Sequence, residues 1–555
     1  MNRKFVISGI SMILVVGVVI GFVAFVSRKG GPQSTDDLSP QMKAVTQLCQ
    51  HTNYKETCTK VLSSANSADP KELIRTGILA ISDSLTKSMN LSQGLVGNAG
   101  SEPRTKLALE DCKILLKNAS DELQDTLDKM SDSNLKSIAE HADDFRIWLS
   151  SIISYQELCV DGFQHDNNIK STVQRSTDYG GELTDNVLTI LGAISNILQD
   201  FNLQLNLPTI HSRRLLGDDG YPTWLSAANR KLLAVGNADL APNAVVALDG
   251  SGQFKSINAA INSYPMSNTG RYIIYVKAGI YNEAVMVPKT HSNILMYGDG
   301  PEKTIVTGKK SFTSGINTWN TASFVVEAPG FTCKNMGFEN TAGPNGHQAV
   351  AIRVNSDMSV FHNCRFDGYQ DTLLYQAGRQ FYRDCVISGT VDFLFGYGAA
   401  VIQNSTIIVR KPNHGQVNTV TADGKKEKGQ NTGLVIHNCK IVPEADLVPE
   451  RLTVKTYLGR PWKQFSTTVV MESELGDLIQ PDGWLPWAGD LYLDTLYYAE
   501  YANTGPGANT ANRIKWTTLH FLTSNEAQQF TVGTFLPGAD QWIRSTGVPF
   551  LLGFR

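Results

Sequence analysis

Two aspartates, Asp371 and Asp392, stand 21 residues apart in the stretch QDTLLYQAGRQFYRDCVISGTVDFLFG, Gln370 to Gly396. Both have apolar neighbours, and Asp392 interrupts Val391–Phe395, which otherwise reads as a buried strand. An unpaired carboxylate in such a place costs roughly several kcal/mol. Two acids held close together in a partly apolar site do not ionise alike, because one of them keeps its proton near neutrality. One nucleophile or base beside one general acid is the combination that hydrolysis requires. Taken singly, Asp371 also reads as a turn residue and Asp392 as a structural acid held by an arginine. Other polar groups occur in unusual company: Gln348 in HQAVAIRV, Gln370 immediately before Asp371, and Arg460 and Trp462 in LGRPW. An amide donor can stabilise an oxyanion, an arginine can orient a carboxylate, and an indole offers a flat platform to a sugar ring. The plainer alternatives are a polar ladder for the glutamines and a packed turn for Arg-Pro-Trp.

Chemistry between Asp371 and Asp392 needs a fold that brings positions one repeat apart side by side. After Asp249 the chain consists of short β-branched and aromatic runs broken by Gly, Asn and Pro. An Asn or Asp precedes a small residue and then an apolar one at Asn335, Asn363, Asp384, Asn404 and Asn438, in steps of 28, 21, 20 and 34 residues. Irregular steps of this size predict a parallel β-helix with one coil per repeat and insertions confined to loops. A sandwich would show more closely spaced strands joined by hairpin turns. Neighbouring coils lie about 4.8 Å apart, so the two acids would meet on one face.

The chain has 555 residues and a net charge of −3, and 26 of its 49 basic and 26 of its 52 acidic residues follow Leu232. The C-terminal part is thus formally neutral and has no field suited to nucleic acid. Phe5 to Val26 is an uncharged apolar run of 22 residues, flanked by Arg3, Lys4, Arg28 and Lys29. It predicts a signal anchor within residues 1–30, or a signal that is processed later, and either implies entry to the secretory route; the plainer alternative is a buried soluble helix. Residues 40–205 carry apolar steps of three and four, as at Leu116, Ala119, Leu123, Leu127 and Met130, and predict an all-α bundle. Its four cysteines suggest two bridges in an oxidising compartment. Spacing allows three connectivities, of which Cys49–Cys58 with Cys112–Cys159 is preferred. Asn90-Leu-Ser92 and Asn118-Ala-Ser120 are candidate glycan acceptors. Residues 206–240 form a linker with two dibasic strings, RRLL at Arg213, Arg214 and RKLL at Arg230, Lys231. These read as processing sites for a protease, or as a solvated basic stretch.

GIYNE, HQAVAIRV, QDTL, SGTVDFLFG, LGRPW and LDTLYYAEYANTGPG, in this order over residues 241–555, resemble plant pectin methylesterases. WLSSIISYQELCVDGF, from Trp148 to Phe163, with the four cysteines, resembles the inhibitor domain that precedes the enzyme in long-form members. YPTWLSAANRKLL resembles their processing linker. The resemblance implies an all-α inhibitor-like domain followed by an all-β right-handed parallel β-helix. It implies hydrolysis of C6 methyl esters of homogalacturonan in the cell wall, without metal or organic cofactor. It makes Asp392 the nucleophile, Asp371 the proton donor and then base, and Gln348 and Gln370 the oxyanion stabilisers. Thr318, Gln348, Arg460 and Trp462 become substrate-binding residues, with Arg460 also positioning Asp392. It further implies proteinaceous methylesterase inhibitors as partners.

Three departures from the family pattern stand out. Ser405 replaces a cysteine that the resemblance pairs with Cys385, so Cys385 is expected either free or bonded to Cys364. Leu374 replaces the usual aromatic after QDTL, and FGYGAAV alters the loop beyond Asp392. Two rival readings are a calcium-dependent pectate-lyase-like β-helix enzyme and an inactive pectin-binding fusion. The first expects an acidic calcium cluster beside a basic catalyst, and the second the loss of an acid or of the arginine.

Overall fold

A computed structural model describes residues 38–96, 102–164, 167–200 and 241–555. The anchor expected within 1–30 and the four linker residues Arg213, Arg214, Arg230 and Lys231 lie outside these. Among the described residues no helix is long and apolar enough to cross a membrane.

The first part is helical: α1 (Pro40–Cys49), α2 (Lys55–Leu62), α3 (Pro70–Leu95), α4 (Pro103–Ser131), α5 (Leu135–Glu140), α6 (Ala142–Asp161), α7 (Asn167–Gly192) and α8 (Ile194–Asp200). Starts are marked chemically. Ser39 and Asp69 accept hydrogen bonds from first-turn amides, and proline follows each at the first helical position. The stripe Leu115, Leu116, Ala119, Leu123 and Met130 on α4 faces the bundle core. Disulfides join Cys49 to Cys58 and Cys112 to Cys159, tying α1 to α2 and α4 to α6.

The second part is a right-handed parallel β-helix. Its strands form three parallel sheets of 11, 7 and 8 strands, visited in turn by each coil. Five strands of the seven-stranded sheet position the site: β1 (Ile352–Asn355), β2 (Leu373–Ala377), β3 (Leu394–Gly396), β4 (Asn418–Asp423) and β5 (Thr456–Gly459). Aromatic rings stack between coils inside, as in Phe338 on Phe366 and Phe361 on Tyr382.

The repeat seen in the sequence is a column at one corner. Asn335, Asn363, Asp384, Asn404 and Asn438 all have φ between 51° and 56°. Asn and Asp enter this left-handed region more readily than other side chains. Their side chains then bond along the column, Asn363 donating to Asn335 at 2.7 Å and Asn404 to Asp384 at 2.5 Å. The next column inward holds Cys364, Cys385, Ser405 and Cys439. Cys333, Cys364, Cys385 and Cys439 are buried thiols. The Cys385 amide donates to the Ser405 hydroxyl at 3.0 Å, and Ser405 sits equally one coil before Cys439. The substitution therefore removes a neighbour from both cysteines, and Cys385 is free rather than bonded to Cys364.

One local expectation is corrected. Val391–Phe395 is not strand throughout, and β3 begins only at Leu394. Asp392 takes φ 50°, which bends the chain before the strand and sends its side chain out of the coil.

The bundle and the β-helix share one core. Leu374, Phe395, Tyr397 and Ala422 of the β-helix are buried in the same apolar cluster as the bundle interior. Helix α6 lies between the two, which is why its residues from Leu149 to Val160 are all buried. Polar contacts frame it: Ser154 donates to the Gln376 carbonyl at 2.8 Å, Asn355 to the Tyr155 hydroxyl at 2.9 Å, and Asp144 pairs with Arg379 at 2.7 Å.

The corner column makes a stability prediction. Asn363→Ala loses the side-chain bond and puts a β-carbon with no compensating polar group in the left-handed region. Urea unfolding should show a loss of about 1–2 kcal/mol, and Asn363→Gly a smaller one. Equal stability of the alanine variant would show that the column does not hold the coils.

Candidate active site

Asp371 precedes β2 and Asp392 precedes β3, and Leu373 pairs with Leu394 in the parallel register. The two acids therefore occupy equivalent positions on adjacent coils. Both are in the left-handed region, at φ 64° and 50°, and both are buried. Aspartate tolerates this conformation where a β-branched residue would not. The bend turns each carboxylate off the sheet into one cavity of about 400 Å³.

Arg460 follows β5 and reaches Asp392 as a fork, Nε donating to Oδ1 at 2.8 Å and Nη2 to Oδ2 at 2.6 Å. Two parallel bonds fix the orientation of the carboxylate as well as its charge environment. Thr419 adds a third bond, its hydroxyl donating to Oδ1 at 2.6 Å while accepting from the Asp392 amide at 2.9 Å. Oδ1 is thus doubly engaged, and Oδ2 has a lone pair to spare. Asp371 differs. Burial, reinforced by the charge of Asp392 and opposed by Arg460, pushes its carboxyl well above the usual carboxylate range. Among the described residues it has no hydrogen-bonded side-chain partner. The site therefore holds an acid oriented by three hydrogen bonds next to one whose burial favours the protonated form.

The remaining expected residues converge on the same cavity: Thr318, Gln348, Gln370, Arg460 and Trp462 all line it. Gln370 leads into Asp371, and its carbonyl accepts from the Ala349 amide at 3.1 Å, which joins the two glutamine segments across adjacent coils. Its side-chain Oε1 is buried without a partner. Thr318 begins a short 3-10 turn ending at Asn320. The Trp462 ring rests against Phe395 at 5.8 Å and Tyr397 at 4.8 Å between centroids. Its backbone is tied to β4, since the Arg460 amide donates to Thr421 and the Trp462 amide to Asp423. Asp423 is itself fully buried, and burial pushes its carboxyl up to about 7.

Several of these groups carry no mark in the sequence. Thr419 stacks one coil beyond Asp392, but that coil is lengthened by an insertion, so the step is 27 residues instead of 21. Trp487 lies under the Arg460 guanidinium at 4.4 Å. The bundle also contributes: Leu158, Asp161 and Gly162 from the end of α6, with Gln164 and Lys170, close one side of the cavity. Among the described residues no group of three or more His, Cys, Asp or Glu could hold a metal ion.

With this geometry in view, comparison with known proteins is direct. Residues 243–539 match the family model described as Pectinesterase, and residues 43–190 that described as Plant invertase/pectin methylesterase inhibitor. The chain is 43% identical to Pectinesterase 4 of Arabidopsis thaliana over 595 aligned positions, covering all of both chains. It is 41% identical to Probable pectinesterase/pectinesterase inhibitor 21 of the same plant, covering all of this chain and 83% of the relative. Among solved structures, pectin methylesterase from carrot shares 47% identity with a TM-score of 0.56, covering 57% of this chain and 99% of its own. The bundle and the β-helix thus each have a counterpart, and the chain belongs to the pectinesterase family, in the form that carries an inhibitor-type domain ahead of the enzyme-type domain.

Proposed function

We propose that this protein hydrolyses the C6 methyl esters of homogalacturonan, giving methanol and free galacturonate, through an acyl-enzyme on Asp392. The observation that carries the mechanism is the contrast between the two buried acids, one forked by Arg460 and the other, one coil away, without such a fork and pushed toward its protonated form. Oδ2 of Asp392 attacks the ester carbonyl. Charge develops on the carbonyl oxygen, where the amides of Gln348 and Gln370 can donate. Asp371 gives its proton to the departing methoxide, and methanol leaves an anhydride between Asp392 and C6. Asp371, now a carboxylate, takes a proton from water, whose oxygen attacks C6 and releases Asp392. Trp462 and Thr318 hold the sugar chain. Among the described residues a calcium-dependent lyase reading finds no acidic cluster to support it. The inactive-fusion reading expects a missing acid or arginine, and all three are present.

The helical part reads as an intramolecular inhibitor. It buries the face that carries Leu374 and Phe395 and closes the cavity with Leu158, Asp161 and Gly162. Proteolysis at Arg213–Arg214 or Arg230–Lys231 would separate the parts on the secretory route, for release of the enzyme to the cell wall. N-terminal sequencing of the secreted protein tests this, and a start near Ala234 is expected.

Methanol release from highly esterified pectin tests the chemistry. Asp371→Asn should slow it ~10²–10⁴-fold, and Asp392→Asn by at least as much. Arg460→Lys should also be damaging, because a point charge does not replace a planar fork. Near wild-type turnover by a folded Asp392→Asn variant would remove the proposed nucleophile.

The docked interface should depend on pH. Glu427, under Tyr54 and α7, is pushed up to about 8 by burial, against its hydrogen bond from Tyr54. Asp185 raises it further and Lys426 opposes. Undocking returns it to the usual carboxylate range near ~4.3. Between these values the docked state binds more protons, so docking weakens as pH rises through that window. Asp111, Asp185 and Glu122 are shifted in the same sense. Glu157 is lowered, and its effect falls below the window. Lys425 is lowered to about 8, and its effect falls above it. After the linker is cut in vitro, the dissociation constant between the parts should rise at least tenfold from pH 5 to pH 8, and Glu427→Gln should flatten that rise.

A further inference from the structure

Lys463 follows Trp462 directly and lines the same cavity as Asp371 and Asp392. Its ammonium is buried and bonded to two carboxylates at the end of α6, Glu157 and Asp161, each at 2.7 Å. The other oxygen of Asp161 accepts from the Tyr397 hydroxyl at 2.5 Å. Lys426 stands beside them, 3.8 Å from Glu157 and 3.2 Å from Asp178. All three acids belong to the helical part. Among the described residues the β-helix offers no carboxylate of its own to Lys463. A buried ammonium is costly unless paired, so the enzyme face carries a cation whose partners depart with the helical part.

The reacting sugar must be a methyl ester and is uncharged. Its neighbours along the chain are either methyl esters or free carboxylates. A fixed cation in the cavity that holds the catalytic pair, backed by a hydroxyl donor and an aromatic platform, separates these two. We infer that Lys463, with Tyr397 and Lys426, forms a subsite for the free carboxylate of an already de-esterified galacturonate, and that Glu157 and Asp161 occupy it in its place while the helical part is docked. This rests on the methylesterase reading above and extends it to the substrate class: a chain with a free acid near the ester under attack. Charge-assisted bonds to a carboxylate supply the selectivity.

The β-helix can be tested alone. It has its own continuous core, and the carrot structure, with 99% of its chain matched, corresponds to this portion without the bundle. Residues 241–555 carrying Asp392→Asn, to prevent turnover, would be titrated calorimetrically with hexagalacturonate and with its fully methyl-esterified form. Lys463→Gln should weaken binding of the unesterified hexamer at least tenfold and of the esterified hexamer less than twofold. Equal weakening of both, or no change in either, overturns the subsite. Should that variant not fold, amine acetylation of the Lys463-containing protein decides, read by peptide mass spectrometry. The unesterified hexamer should protect Lys463 and the esterified one should not, and equal labelling with and without the unesterified hexamer overturns the proposal. Failure of residues 241–555 with Asp392 intact to release methanol from esterified pectin would instead sink the methylesterase reading itself.

Discussion

The fork between Arg460 and Asp392 is the interaction on which the rest of the site depends. A carboxylate buried to this degree is tolerable only with a cation held in place, and the cation comes from a strand end 68 residues further along the chain. Only a fold that stacks successive coils in strict register can deliver both. The parallel register fixes Asp371 beside Asp392, the same register places Thr419 beneath it, and the loop after β5 is pinned to β4 by backbone bonds. Burial and the charge of Asp392 one coil away favour the protonated form of Asp371, while the fork opposes it. The contrast between the two acids is thus a consequence of stacking.

The same face that carries the two acids is apolar enough to bury a helix. Leu374, Phe395, Tyr397 and Ala422 pack with the bundle core, and α6 is accordingly buried on every side from Leu149 to Val160. This accounts for a feature of its sequence that amphipathic periodicity does not: serines at 150, 151 and 154 lie between apolar residues and are all buried, and Ser154 bonds the sheet directly at the Gln376 carbonyl. The docked arrangement combines apolar burial with ion pairs such as Lys463 to Asp161 and Lys289 to Glu122. Leu374, a departure from the family's usual aromatic, lies under this cover, so its effect on the sugar groove and its effect on docking are not independent.

Much of this was legible in the sequence because the repeat has a physical cause. Each coil needs a residue that accepts a positive φ at the same corner, and Asn or Asp supplies it at Asn335, Asn363, Asp384, Asn404 and Asn438. Counting coils from that column places Asp371 against Asp392. The same counting fails for Thr419, because an insertion lengthens its coil, and threonine in a β-rich stretch carries no distinguishing mark. Asp423 and Lys463 were hidden for another reason. Their significance comes from burial by partners distant in sequence, which no local pattern reveals. The strand expected over Val391–Phe395 was misread because apolar composition signals burial but not backbone direction, and Asp392 bends the chain there.

The central claim is that Asp392 is covalently acylated during turnover. The direct measurement is rapid quenching of the enzyme during steady-state hydrolysis of methyl-esterified oligogalacturonate in the presence of hydroxylamine, followed by peptide mass spectrometry. A mixed anhydride is attacked by hydroxylamine at either carbonyl, so the account predicts an aspartyl hydroxamate at Asp392, dependent on substrate and found on no other acid of the site. An unmodified Asp392 with no enzyme-dependent galacturonyl hydroxamate, in enzyme quenched while releasing methanol at its full rate, would contradict it, and would leave Asp392 as a base acting on water instead of a nucleophile.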